Sequence, residues 1–185
     1  MTRRTIRHGD LIDYQLFRKA AIHSIGGEER TVDCRLRPGY WLNPLSRLGL
    51  DQSIVDFIKK VPFYDYEYIG HVAMVGPKKI LKWSRYRMIC KSGVFLLGSA
   101  SNGDFVAIDQ LGKQTKPGIG YISHESFWNE GSTCEFCRLT GSIGEFFNRV
   151  VFDKEFPYDF HQALKLGYKR TALRIGAYRK RKSKR

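Results

Sequence analysis

The chain lacks any apolar run near the roughly 18 residues that a membrane-spanning helix needs, so no bilayer span is expected. Behind its first basic residues, Arg3, Arg4 and Arg7, it lacks the apolar stretch of a secretory signal. The expected compartment is therefore the cytoplasm. It has no G-x-x-x-x-G-K-[ST] phosphate loop, no nucleophile elbow and no H-E-x-x-H pair. Those absences argue against the commonest phosphate-binding and hydrolytic designs, and the chain is expected to be neither an enzyme nor a cofactor carrier. It also lacks zinc-finger spacing and an RNP-like aromatic motif, which argues against a dedicated nucleic-acid reader.

Acidic residues are missing from residues 165–185, which hold ten Lys and Arg. The formal charge of +14 is thereby located. Of the 32 basic residues, ten lie in that segment and three are Arg3, Arg4 and Arg7, leaving 19 in the body against all 18 acids. The body is nearly neutral and the basicity belongs to the ends. Arg179, Lys180, Arg181, Lys182, Lys184 and Arg185 form a block that reads as a disordered, self-repelling tail. Such a tail attracts polyanions through counterion release, without sequence preference, so weak non-specific nucleic-acid binding is expected of it.

What is present describes a folded protein. The 185 residues suffice for one core, and 42% hydrophobic with 14% aromatic residues is a globular composition. Residues 1–178 are expected to form one domain, with 179–185 as the tail. Asp10 reads as the N-cap of a helix over 11–22, ended by Gly26-Gly27. A strand is expected over 31–37, an irregular loop over 37–50, and a helix over 51–61 with Ile54, Phe57, Ile58 and Val61 inward. Aromatic and β-branched residues predict strands over 64–75 and 79–90, joined by Gly76-Pro77. A buried strand follows over 93–98. Helices are expected over 142–150 and 158–166, the second capped by Gly167. Residues 171–177 fit a last strand or a frayed helix.

The segment 102–147 carries the most information. Asn102-Gly103 is a tight-turn signal. The strand after it places Phe105 and Ala107 on one face and Val106 and Ile108 on the other, so both faces are expected to be covered. Gly112 makes the next turn, and a partner strand runs to Ser123 and ends in His124-Glu125. Ile143, Glu145, Phe146 and Phe147 then open a helix. Gly103, Asp104, Phe105, Ile108, Asp109, Gly112, Tyr121, His124, Glu125, Ile143, Glu145, Phe146 and Phe147, in that order and spacing, resemble the SUKH superfamily. That superfamily includes bacterial immunity proteins against polymorphic toxins and a fungal regulator of cell-wall synthesis. The resemblance implies an α+β fold, a mostly antiparallel or mixed sheet covered by helices, that binds a partner protein, such as a toxin, by steric docking. Residues 126–140 read as a loop longer than is usual there. Tyr121, His124, Glu125, Phe127 and Trp128 are the candidates for the docking surface, because aromatic residues at an interface centre carry most of its energy.

Cys134-Glu135-Phe136-Cys137 has the spacing of half a zinc site. There is no second C-x-x-C, so His124, Cys90 or Cys34 would have to complete it through tertiary placement. The simpler reading is reduced thiols in a cytosolic protein. Asp104 and Asp109 are five residues apart on one strand, hence on opposite faces, and read as turn residues rather than an acid–base pair.

Overall fold

A computed structural model of the chain describes residues 12–25, 52–60, 66–76, 79, 82–83, 94–110, 118–129 and 131–174. The expected strand over 31–37, the loop over 37–50 and the tail over 179–185 lie outside the described residues, as do Asp10, Cys34 and Cys90.

Among the described residues, seven strands form one antiparallel sheet in which every strand pairs with its sequence neighbour: β1 (Tyr66–Ile69), β2 (Val72–Val75), β3 (Val94–Ser99), β4 (Phe105–Asp109), β5 (Gly118–Ile122), β6 (Thr133–Thr140) and β7 (Arg170–Arg174). The helices are α1 (Tyr14–Ile25), α2 (Gln52–Lys60), α3 (His124–Trp128), α4 (Ile143–Phe152) and α5 (Phe160–Lys165). The architecture is α+β with a fully antiparallel sheet.

Both faces of the sheet are apolar, and each has its own core. Val106, Ile108, Tyr121 and Cys137 project to one side, where they meet Phe17 and Ala20 of α1, Phe57 of α2, Phe146 and Phe147 of α4 and Phe160 of α5. Rings meet edge to face there: Phe17 with Phe57 at 4.8 Å and with Phe147 at 5.3 Å, and Phe146 with Tyr121 at 5.8 Å. That geometry sets a positive ring edge against a negative ring face. Val94, Leu96, Phe105, Ala107, Ile122, Cys134, Phe136 and Leu173 project to the other side, against Phe127 of α3 and Trp83. The two-faced character expected of β4 is what is found.

Local chemistry sets the helix ends. Ser142 caps α4 by accepting the Glu145 N–H at 3.1 Å, and the Glu145 carboxylate reaches back to the Gly141 N–H at 3.1 Å, a reciprocal cap. Asp159 caps α5 by accepting the Gln162 N–H at 2.7 Å. Gly167, at φ +87°, ends α5 as expected: its N–H donates to Leu164 O, and the Tyr168 N–H donates to Ala163 O.

Three local expectations are corrected. The strand read over 64–75 is a hairpin, broken at Gly70. Gly70 sits at φ +59°, and a Cβ there would stand 2.8 Å from Val150 Cγ1 of α4, so turn and packing both require glycine. In the stretch read as a strand over 79–90, Lys79, Lys82 and Trp83 are helical. At α1, Asp13 meets the helix start, accepting the Leu16 N–H at 3.4 Å and the Phe17 N–H at 3.2 Å. The segment read as a loop over 126–140 holds the end of α3 and all of β6, a strand paired on both sides. Residues 171–177 resolve as a strand as far as Arg174.

Candidate functional site

The turn between β3 and β4 is built from Asn102 and Gly103. Ala100 N–H donates to Asp104 O at 2.8 Å, and Gly103 takes φ +93°. Asn102 holds the next residue twice: its Oδ1 accepts the Asp104 N–H at 3.0 Å, and its Nδ2 donates to Asp104 Oδ2 at 2.8 Å. The Asp104 side chain is thereby turned inward, with 0% exposure. Its Oδ1 accepts the His124 N–H at 3.0 Å and lies 2.8 Å from His124 Nδ1, while Oδ2 accepts the Phe160 N–H at 3.0 Å. One carboxylate therefore fastens the β3–β4 turn, the start of α3 and the start of α5, although its partners lie 20 and 56 residues away.

Burial alone would raise the pKa of Asp104. The donors from His124, Asn102 and Phe160 outweigh that desolvation and hold the carboxyl below the usual carboxylate range. An ionised carboxylate only accepts, so His124 donates from Nδ1 and turns Nε2 away from it. The His124 side chain is 36% exposed.

α3 is pinned at its other edge to β6. Ser123 Oγ accepts the Ser126 N–H at 3.4 Å, the Ser126 hydroxyl donates to Ser123 O at 3.0 Å, and Ser126 Oγ accepts the Glu135 N–H at 2.8 Å. Phe127 is buried under the helix. Trp128 is 43% exposed and rests edgewise on Phe105 at 5.9 Å and on Phe127 at 4.9 Å. Glu125 is exposed on the same short helix.

Of the five residues expected to form a docking surface, His124, Glu125 and Trp128 therefore share one platform with an accessible side. Tyr121 and Phe127 do not: both are fully buried, one in each core, because β5 and α3 turn them inward. His124 is also not the end of a strand. It opens α3, and its partner is a carboxylate rather than a backbone carbonyl. The Asp104 hub escaped the sequence reading, which assigned that residue to a turn. The signal was an Asp next to Asn-Gly at the head of a strand covered on both faces, where a carboxylate can only be buried.

Tyr121 supports a second polar chain. Its hydroxyl donates to Pro157 O at 3.0 Å and lies 3.1 Å from His71 Nε2. With the hydroxyl proton committed to Pro157, the imidazole donates to the hydroxyl oxygen from Nε2. Burial lowers the His71 pKa, with Asp159 and the Pro157 carbonyl opposing. Burial also raises the Tyr121 pKa, with Asp159 and Asp104 adding to it. A histidine kept neutral in the fold but free to protonate when unfolded makes stability fall as pH drops through about 6.5, its unfolded value, toward its folded value. Urea midpoints of wild type and His71→Gln, taken from pH 8 to pH 5, are expected to diverge in that window, with only the wild type losing this share. Parallel curves would mean that His71 is not held neutral.

The C-x-x-C spacing leads to no shared site. Cys134 and Cys137 are three residues apart on an extended strand, so Cys134 enters the smaller core and Cys137 the larger one. Both thiols are buried and outside any disulfide, and burial pushes Cys137 up to about 11. Among the described residues no three His, Cys, Asp or Glu are grouped as metal ligands. None of the described helices is long and apolar enough to cross a membrane. No protein-family model, curated protein or solved structure matches this chain.

Proposed function

We propose that this chain is a cytoplasmic protein-binding module of the SUKH immunity type, which docks on a partner protein and blocks it sterically rather than by catalysis. A toxin is the partner class that the resemblance implies. The observation that carries the proposal is the Trp128 platform. A large ring, 43% exposed, is backed by two buried aromatics on a helix tied to Asp104 and to β6, with Glu125 and His124 beside it. Ordering that ring was completed on folding, so little conformational entropy remains to be lost on docking. Aromatic anchors with a polar rim are the side chains that dominate interface energy.

The full chain, immobilised and exposed to nuclease-treated native lysate, is expected to retain one stoichiometric protein through a high-salt wash. The nearly neutral body makes that retention weakly salt-dependent. Trp128→Ala is expected to weaken the purified pair at least about 30-fold, the scale of an interface hot spot, with an unchanged melting curve. Undiminished affinity in Trp128→Ala would remove α3 as the docking surface. Retention of nucleic acid alone would remove the protein-binding reading.

A further inference from the structure

The outward side of α3 offers a carboxylate and an indole ring. His124 and Trp128 are four residues apart on the helix, and Glu125 and Trp128 are three apart. At those spacings side chains are neighbours, with Cβ atoms about 5–6 Å apart. Glu125 is exposed, and among the described residues its carboxylate pairs with no cation. Trp128 keeps 43% exposure after its contacts with Phe105 and Phe127. The aromatic row that continues from Trp128 already engages one cation. Lys79 Nζ stands 5.4 Å from the Trp83 ring centre, Trp83 meets Phe105 at 5.1 Å, and Phe105 meets Trp128 at 5.9 Å. The placement of these groups is fixed within the fold. Asp104 ties down the start of α3, and Ser126 ties its middle to β6. Asp104 also holds His124 Nδ1 at 2.8 Å, so the imidazole stands as a fixed wall beside the other two side chains.

We propose that Glu125 and Trp128 receive an arginine side chain of the docked protein, with His124 as the wall beside it. This rests on the protein-docking reading and names the chemistry that the partner brings to α3. A guanidinium is flat, so it lies on the indole while two parallel N–H groups donate to the Glu125 carboxylate. A lysine ammonium has no plane to stack and is held more strongly by water. A partner carboxylate would meet Glu125 as a like charge. An exposed Glu–Arg pair alone is worth little in water. Docking removes that water, and the indole adds its attraction for the cation.

The test needs no identified partner. Isotope-labelled full-length protein is titrated with Nα-acetyl-arginine amide at constant ionic strength. The indole N–H resonance of Trp128, assigned with Trp128→Phe, is followed. Parallel titrations use the lysine amide, the aspartate amide and the citrulline amide, in which an uncharged urea replaces the guanidinium at nearly the same shape. The arginine probe is expected to bind in the millimolar range, the strength open to a ligand of its size. It is expected to bind at least about 10-fold more tightly than citrulline and about 3-fold more tightly than lysine. Glu125→Gln, an exposed change that spares the fold, is expected to weaken the arginine probe about 3- to 5-fold and to leave citrulline unmoved. Equal affinity for arginine and citrulline would overturn the proposal, as would unaltered arginine affinity in Glu125→Gln. So would a preference for the aspartate probe, or no Trp128 shift at about 100 mM arginine amide. The two readings fail separately. Any of those outcomes, with Trp128→Ala still weakening the purified pair, removes the arginine and keeps the docking surface on α3. Undiminished affinity of the pair in Trp128→Ala removes the surface itself.

Discussion

Asp104→Ala is expected to destabilise the fold by about 3–5 kcal/mol, the cost of removing one partner from a buried charged network, and to lower the melting temperature by roughly 10 °C. The substitution leaves the backbone N–H groups of His124 and Phe160 without their acceptor, and both groups start helices. It also frees the Asn102 amide and the His124 imidazole. Asp104→Asn keeps the shape but places an NH2 group where one of these donors points, so most of the loss is expected to remain. The acid side of the stability curve carries the same signature. A carboxyl held below its unfolded value near 3.9 contributes fully above that pH, and its share is lost as pH falls through the folded value. Asp104→Asn is expected to lack that leg. Urea unfolding at pH 7 and between pH 5 and pH 2 checks both statements. A midpoint within about 0.5 kcal/mol of wild type, the scatter of ordinary surface changes, would mean that Asp104 is not a keystone. Because the carboxylate also sets the start of α3, partner binding is expected to weaken in Asp104→Ala even below its melting temperature.

The hub shows where sequence reasoning reached and where it stopped. Asn102-Gly103 announced its turn, and the alternation after it announced a strand with two cores, because both signals are local. Gly167 announced the end of α5 for the same reason. The partners of Asp104 are 20 and 56 residues away, and no window of spacing contains them. β6 reads as a loop in the sequence because its two buried faces put Cys134 and Phe136 toward one core and Cys137 and Leu139 toward the other. A strand covered on both sides has no period of two to detect. α3 spans only His124–Trp128, too short for helical periodicity to rise above noise, so its first residue reads as the end of the preceding strand. Gly70 gives no turn signal in the sequence because its neighbours on both sides are strand formers; the turn it makes is fixed by α4, where Val150 fills the space a side chain would need.

Tyr121 offers the sharpest separation of a core residue from a contact residue, since its sequence position suggested the latter and its burial shows the former. Tyr121→Ala is expected to cost about 3–5 kcal/mol, the range for emptying a buried aromatic position, because the ring fills the space between β5 and Phe146. Tyr121→Phe keeps the ring and removes only the hydroxyl. That removes the hydroxyl's bonds to the Pro157 carbonyl and to His71 Nε2, at an expected cost of about 1–3 kcal/mol. If the hydroxyl is what holds His71 in place, Tyr121→Phe also alters the pH dependence that His71 confers, and the double variant with His71→Gln is expected to cost less than the two single losses added together. In contrast to Trp128→Ala, Tyr121→Phe is expected to leave partner affinity unchanged wherever the protein is folded, because no partner can reach the ring. The two variants thus produce opposite patterns: one lowers the melting temperature and spares binding, the other spares the melting temperature and lowers binding. Affinity lost in Tyr121→Phe at a temperature where its circular dichroism matches wild type would place the docking surface near β5 and the Pro157 segment instead of on α3.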